Sequence, residues 1–171
     1  QALRSLAEQT GMELVIIRPP LVFGPGVRAN FENLLRVVSR GVPLPLGALQ
    51  NRRSLVALDN LVALITCCVC HPKAAGQTFM VSDDEDLSTP DLIRRIAKAM
   101  NRPARLIKVP FWVLQMLGKL TGKSSAIQRL CGNLQVDISK TKAVLGWRPP
   151  IGVDEGLRRA AVQWRSNEAH L

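Results

Sequence analysis

Leu14-Val15-Ile16-Ile17-Arg18-Pro19-Pro20-Leu21-Val22-Phe23-Gly24-Pro25-Gly26 is the stretch on which the reading of this chain turns. Leu14 to Ile17 is a continuous apolar run, the pattern of a strand in a sheet with helices over both faces. It runs into a stiff Pro/Gly segment, and loops at strand ends are where open α/β sheets hold ligands. Only thirteen residues precede it, too few for the strand-helix units that such a crevice needs. The chain reads as the rear portion of a larger α/β protein.

Working outward, Ala2 to about Gln9 has the pattern of a helix end closed by Thr10-Gly11. Phe31 to Val38 repeats apolar residues at helical spacing, and Gly41 ends it. Val42-Pro43-Leu44-Pro45-Leu46-Gly47 is extended, and its prolines argue against a central strand. Ser54 to Leu58 predicts a short strand, with Asp59 or Asn60 capping a helix from Leu61 to about Cys70 that His71-Pro72 closes. Thr78 to Val81 predicts another buried strand, followed by an acidic turn, Asp83-Asp84-Glu85-Asp86, read as solvated. Ser88-Thr89-Pro90-Asp91 has the composition of a capping box with a first-turn proline, opening the helix Leu92 to Met100. Further predicted elements are a strand over Arg105–Val109, a very apolar helix over 111–117 and a short helix over 125–130. Asp137 or Ser139 would cap a helix ending at Leu145-Gly146, and the last helix would start at Gly152 with Glu155.

A chain of 171 residues can bury one hydrophobic core, and it reads as a single α/β unit over 1–171. With 47% hydrophobic and 21% charged residues its composition is that of an ordinary globular protein. No apolar run reaches the roughly 18 residues of a membrane span, and the first residues lack the apolar centre of a signal peptide. No membrane partner is expected. Four cysteines, at 67, 68, 70 and 131, fit reduced thiols in a cytoplasmic protein rather than a disulfide framework. The net charge of +10 is unusual, but the basic residues are spread along the chain. Tyr is absent and Phe scarce, so stacking platforms for nucleic acid are poorly supplied. A positive field suits a phosphate-bearing ligand equally well.

Three places carry candidate chemistry. Gly24-Pro25-Gly26 can bring backbone close to a ligand, or can simply turn the chain. Arg52-Arg53 precedes a strand, where a guanidinium can grip a phosphate bidentately. Arg28 and Asn30 flank the start of the helix at Phe31, whose free N–H groups could face an anion. Other patterns carry less. Gly118 to Ser124 looks like a phosphate-binding loop, but it is one residue short and follows a helix instead of a strand. Cys67, Cys68, Cys70 and His71 lack the remaining ligands of a zinc site, and buried thiols are the simpler reading. The acidic run lacks the alternating spacing of a calcium loop, and Trp147 reads as a packing residue. No metal site and no catalytic residue is assigned.

Taken together, Arg18 to Gly26, Asn30-Phe31, the run Arg53-Ser54-Leu55-Val56-Ala57-Leu58-Asp59-Asn60, Leu145-Gly146-Trp147-Arg148-Pro149 and Glu155-Gly156-Leu157 resemble the NAD-dependent epimerase/dehydratase family. These are the extended short-chain dehydrogenase/reductases, and the chain looks most like their sugar-nucleotide epimerases and 4-reductases of surface-polysaccharide synthesis. The resemblance implies the last strands of an incomplete Rossmann-like doubly wound sheet, interleaved with a small mixed α/β substrate-binding lobe. It implies that Pro20, Leu21 and Val22 lie against the nicotinamide end of NAD or NADP. It implies that Asn30 and Phe31 approach the diphosphate of a nucleotide sugar, that Leu44 and Leu46 line the base or its surroundings, and that Arg53 pairs with the diphosphate, with Arg52 as competitor. Asp137 would stand where the lobe returns to the cleft, and Arg129 is a weak counterpart of a second basic clamp.

Two family features are missing from this sequence: the Gly-rich dinucleotide turn, and the Tyr-x-x-x-Lys in which the tyrosine passes a proton to or from the sugar hydroxyl. By itself the chain is therefore expected neither to hold the cofactor tightly nor to catalyse. It is also expected to self-associate through apolar surface around its first strand and the 111–117 helix. The alternative is a non-enzymatic interaction module built on an epimerase tail.

Overall fold

The computed structural model describes residues 2–27, 30–120, 122, 128 and 131–168. Their fold is mixed α/β, as expected, with two small sheets. Strand β1 (Ile16–Arg18) pairs in parallel with β4 (Thr78–Met80), Ile16 opposite Thr78 and Arg18 opposite Met80. Strand β2 (Leu21–Phe23) pairs in parallel with β3 (Arg53–Ala57), and β3 pairs antiparallel with β5 (Asp86–Leu87). Around them lie α1 (Ala2–Thr10), α2 (Asn30–Ser39), α3 (Leu58–Cys70), α4 (Thr89–Ala99), α5 (Phe111–Leu120), α6 (Ser139–Leu145) and α7 (Val153–Glu168).

The β2–β3 pair explains the uninterrupted apolar runs in the sequence. Successive strand residues face opposite ways, and here both ways are covered. Leu55 and Ala57 join Phe23, Phe31, Leu35 and residues of α4 and α7 in one core cluster, while Val56 joins Leu64, Phe79, Val81, Leu145 and Trp147 in another. Leu21 packs against the first cluster and Val22 against the second. The chain thus passes repeatedly between two cores that share one sheet. Helix α7 approaches this sheet closely at Gly156, where a Cβ would lie 2.9 Å from Phe23 Cε2 and 3.1 Å from Ala57 Cβ.

Several expectations need correction. The Pro/Gly stretch is not all loop: Pro19-Pro20 ends β1, and Leu21-Val22-Phe23 then forms a strand of the other sheet. Two prolines cannot donate to a ladder, so the strand breaks, while the three apolar residues beyond find β3. Neither Asp59 nor Asn60 caps α3, which begins after Ala57 with no side-chain cap of its own. Asp83 serves that end instead. It is buried, not solvated, and its Oδ1 accepts Ala57 N–H at 2.9 Å and Asn60 Nδ2 at 2.7 Å. Asp86, read as part of the same turn, is in β5. Arg105–Val109 makes a single parallel bridge, Leu44 with Leu106, instead of a strand, because Pro43 and Pro45 on either side of Leu44 have no N–H to extend the ladder. Asp137 does not cap α6 but closes a turn before it, its Oδ1 accepting Ser139 N–H at 2.8 Å.

Other readings are met. Ser88 caps α4, its Oγ accepting Asp91 N–H, with Pro90 in the first turn. Helix α6 ends at Gly146, and Trp147 is buried. Helix α1 has no buried residue, and on α5 Phe111, Trp112, Met116 and Leu120 are exposed. Arg28, Arg129 and most of the 125–130 helix lie outside the described residues, as does much of the 118–124 segment.

Candidate functional site

Arg52 and Arg53 stand at the start of β3, and a polar network fixes the backbone that carries them. On one side, Leu134 N–H donates to the Arg52 carbonyl at 2.9 Å and Ser54 N–H donates to the Leu134 carbonyl at 2.7 Å. Arg52 N–H donates to Asn133 Oδ1 at 2.9 Å, and Val136 N–H donates to Ser54 Oγ at 2.8 Å. The buried Ser54 hydroxyl in turn donates to Asp86 Oδ1 at 2.6 Å, while Gln135 Nε2 donates to Asp86 Oδ2 at 2.6 Å. Just upstream, buried Asn51 donates to Thr89 Oγ1 at 2.9 Å and accepts Thr89 N–H at 3.0 Å, tying the arginines to the start of α4. Buried polar groups cost free energy unless paired, and these are paired. The result is a rigid mount for two cations.

The two arginines differ. Arg53 is half-buried, with its Nε enclosed, and lies opposite Leu87 in the sheet. Arg52 is exposed and borders an open cavity of about 480 Å³, shared with Gly47, Gln50, Asp86, Asp91 and Arg94. Arg94 pairs with Asp91 at 2.6 Å, and the Ser88 hydroxyl and Arg94 beside Asp91 hold that carboxyl below its ordinary range. The cavity's two acids make it less suited to a diphosphate than its two arginines alone would suggest.

Of the other residues singled out, Leu21, Phe31, Leu44 and Leu46 come together around the core cluster that contains Leu55. Phe31 is 2% exposed and its ring centroid lies 5.7 Å from that of Phe23. Its side chain is therefore core, and only its backbone at the helix start can meet a ligand. Asn30 is exposed as the first residue of α2. Leu44 and Leu46 are half-buried, and their segment is held to the next by Leu44 N–H on the Arg105 carbonyl at 2.8 Å and Gly47 N–H on the Ile107 carbonyl at 2.9 Å. Val22 belongs to the other core, and Pro20 is half-buried between the sheets. Gly24 has φ +145° and a Cβ there would sit 3.0 Å from Leu58 Cβ, so its close approach is to the start of α3. His71 Nδ1 accepts Lys73 N–H, and burial, with Cys67 beside it, pushes the Cys68 thiol up.

Asn51, Ser54, Asp86 and Gln135 were missed in the sequence. Two small polar residues flanking an Arg-Arg pair beside an apolar strand were the available signal, but it named none of the distant partners.

Comparison with known proteins bears on the fold. The UDP-glucose 4-epimerase of Vibrio cholerae is 52% identical over 158 residues, which cover 92% of this chain and 48% of that protein. The chain matches the C-terminal part of an NAD-dependent epimerase/dehydratase. An Escherichia coli O157:H7 4-epimerase of N-acetyl-α-D-glucosaminyl-diphospho-ditrans,octacis-undecaprenol is 26% identical over 88% of this chain and 49% of its own length. Among solved structures, a nucleoside-diphosphate-sugar epimerase from Pseudomonas aeruginosa superposes with a TM-score of 0.74 over 97% of this chain and 53% of that one, at 20% identity. The Thermotoga maritima UDP-glucose 4-epimerase with UDP-glucose gives 0.72 over 98% and 50%, at 16% identity. At those identities the likeness is one of fold. No family model matches the chain. The chain spans about half the length of the curated relatives it matches.

Proposed function

We propose that this chain forms the substrate-binding side of an NAD(P)-dependent enzyme that oxidises or reduces a carbon of a nucleotide sugar, with or without epimerisation. The observation that carries the reading is the parallel β2–β3 pair. It sets Arg53 at the start of a braced strand, four residues before Ala57, whose partner Phe23 packs on Phe31 at the head of α2. A diphosphate between the two would meet a guanidinium and the amides of a helix start, each a strong partner for an anion. Leu44 and Leu46, on the extended segment beside that core, would flank the base. Pro20, Leu21 and Val22 would border the nicotinamide, with α1, β1, β4, α3 and α6 forming the tail of the cofactor domain and the remaining elements the substrate lobe.

Catalysis would require a dinucleotide turn and a proton-transferring tyrosine, and this chain contains no tyrosine. Alone it would bind nucleotide sugar weakly and turn nothing over. Relatives at 52% and 26% identity that are named for 4-epimerisation support the reaction class. The reading is tested by backbone NMR during titration with UDP-glucose. Amide shifts at Phe31, Glu32, Arg53 and Ser54 are expected to move together and saturate, while NAD moves none of them. Shifts confined to the cavity beside Arg94 would overturn the proposed placement of the diphosphate.

Among the described residues, β1 pairs with β4 alone and α1 exposes Leu3 and Leu6. This surface supports self-association of the isolated chain. Light scattering is expected to give a mass that rises with concentration, and a constant monomer mass would contradict it.

A further inference from the structure

We propose, contrary to the expectation from the sequence of no membrane partner, that α5 is an interfacial anchor that lays the chain on an anionic lipid bilayer. Trp112, Met116 and Leu120 follow one another at i, i+4 and i+8, and so form a single stripe along the helix. They are 63%, 56% and 80% exposed. Leu114, nearly opposite Trp112 on the helix, is buried, so the stripe is the outward face. Phe111 and Ile107 extend the exposed apolar surface at the N-terminal end. Scattered surface hydrophobics need no explanation, but a contiguous aromatic-aliphatic ridge does.

Charge selects the occupant. From Leu92 to Val136 the sequence contains nine lysines and arginines and no aspartate or glutamate, although Arg94 and Arg95 are paired with Asp91, Glu85 and Asp154 from outside that span. Lys108 and Lys119 stand at the two ends of the ridge, both exposed. A second copy of the same surface would bring like charges together, whereas an anionic bilayer is attracted by each of them. An apolar face of Trp, Phe and Leu with lysines at its margins is the composition of a helix lying in the headgroup boundary. Ten residues rise only about 15 Å, half a hydrocarbon core, so the helix lies on the membrane and does not cross it. Among the described residues no helix is long and apolar enough to cross a membrane, which leaves surface attachment untouched. The inference does not depend on the nucleotide-sugar reading.

The test is co-sedimentation of the chain with phosphatidylcholine vesicles made with and without phosphatidylglycerol at low salt. Binding is expected with the anionic vesicles only. Trp112→Ser with Met116→Ser is expected to lower partitioning about tenfold or more, and Lys108→Glu with Lys119→Glu by about tenfold. Trp112→Phe should retain it, and circular dichroism checks that each variant is folded. Wild-type chain remaining in the supernatant, equal binding to neutral vesicles, or variants that bind like wild type would each overturn the proposal. So would a dimer in lipid-free solution that the Trp112→Ser/Met116→Ser pair abolishes, because a second copy would then own the ridge.

Discussion

A carboxylate inside a protein needs donors, and Asp83 has two: the amide at the start of α3 and the side chain of Asn60. Asn60 in turn donates to the Ile151 carbonyl at 2.8 Å and accepts Ile151 N–H at 3.1 Å, so one buried pair ties β3, α3 and the approach to α7. Asp83→Ala strands both donors and is expected to cost about 2–4 kcal/mol in denaturant unfolding. Burial raises the Asp83 pKa above its ordinary value despite those hydrogen bonds. The sign follows from linkage: its stabilising contribution is complete below about pH 4 and is lost as pH rises through the raised folded value. The unfolding free-energy gap between wild type and the variant should therefore narrow from acid toward neutral pH, and a gap that widens would contradict this. Glu155 behaves oppositely. Arg158 and then Arg159 hold its carboxyl down, to about 2, so their joint contribution persists above its ordinary value and fades as pH falls toward that figure. An NMR titration of Arg158→Gln with Arg159→Gln should show the Glu155 carboxyl returning to the ordinary carboxylate range, and an unmoved titration would refute the pairing.

At the scale of elements, most of the fold was legible where one segment decides its own state. Ser88-Thr89-Pro90-Asp91 specifies a helix start by itself, and Leu145-Gly146 specifies a helix end. What failed was decided at a distance. Leu21-Val22-Phe23 is a strand because Leu55-Val56-Ala57 lies alongside, and nothing local distinguishes it from the proline loop before it. Arg105 to Val109 has strand composition but finds only one bridging partner, Leu44. The acidic run looked solvated because its charge is local, whereas the amide that draws Asp83 inside belongs to a residue 26 positions earlier. Gly156 gives the reverse case, a residue that reads as a weak point in a helix and is required by packing. Alanine has the better helix propensity by about 1 kcal/mol. Its Cβ would nevertheless press on Phe23 and Ala57, and overpacking typically costs about 1–3 kcal/mol. Gly156→Ala is expected to lower the thermal midpoint, and an unchanged or raised Tm would show that α7 can retreat from the sheet without loss.

At the scale of the whole molecule, two cores share the β2–β3 pair; four of the proposed ligand groups gather on one of them, and Val22 packs on the other. Phe31, Leu44, Leu46 and Leu21 were named from the sequence, and they pack around the core that holds Leu55. The supporting residues Asn51, Ser54, Asp86 and Gln135 were not legible, because a buried hydrogen bond needs both partners and the sequence shows them up to 82 residues apart. They make the Arg52-Arg53 backbone rigid, and they also make the two arginines separable by experiment. The most direct test is calorimetric titration of the chain with UDP-glucose, comparing wild type with Arg53→Ala and Arg52→Ala. Loss of a bidentate charge-assisted contact should weaken binding about tenfold or more for Arg53→Ala, with Arg52→Ala close to wild type. Binding that survives Arg53→Ala unchanged, or that Arg52→Ala alone removes, would contradict the assignment of the diphosphate to Arg53.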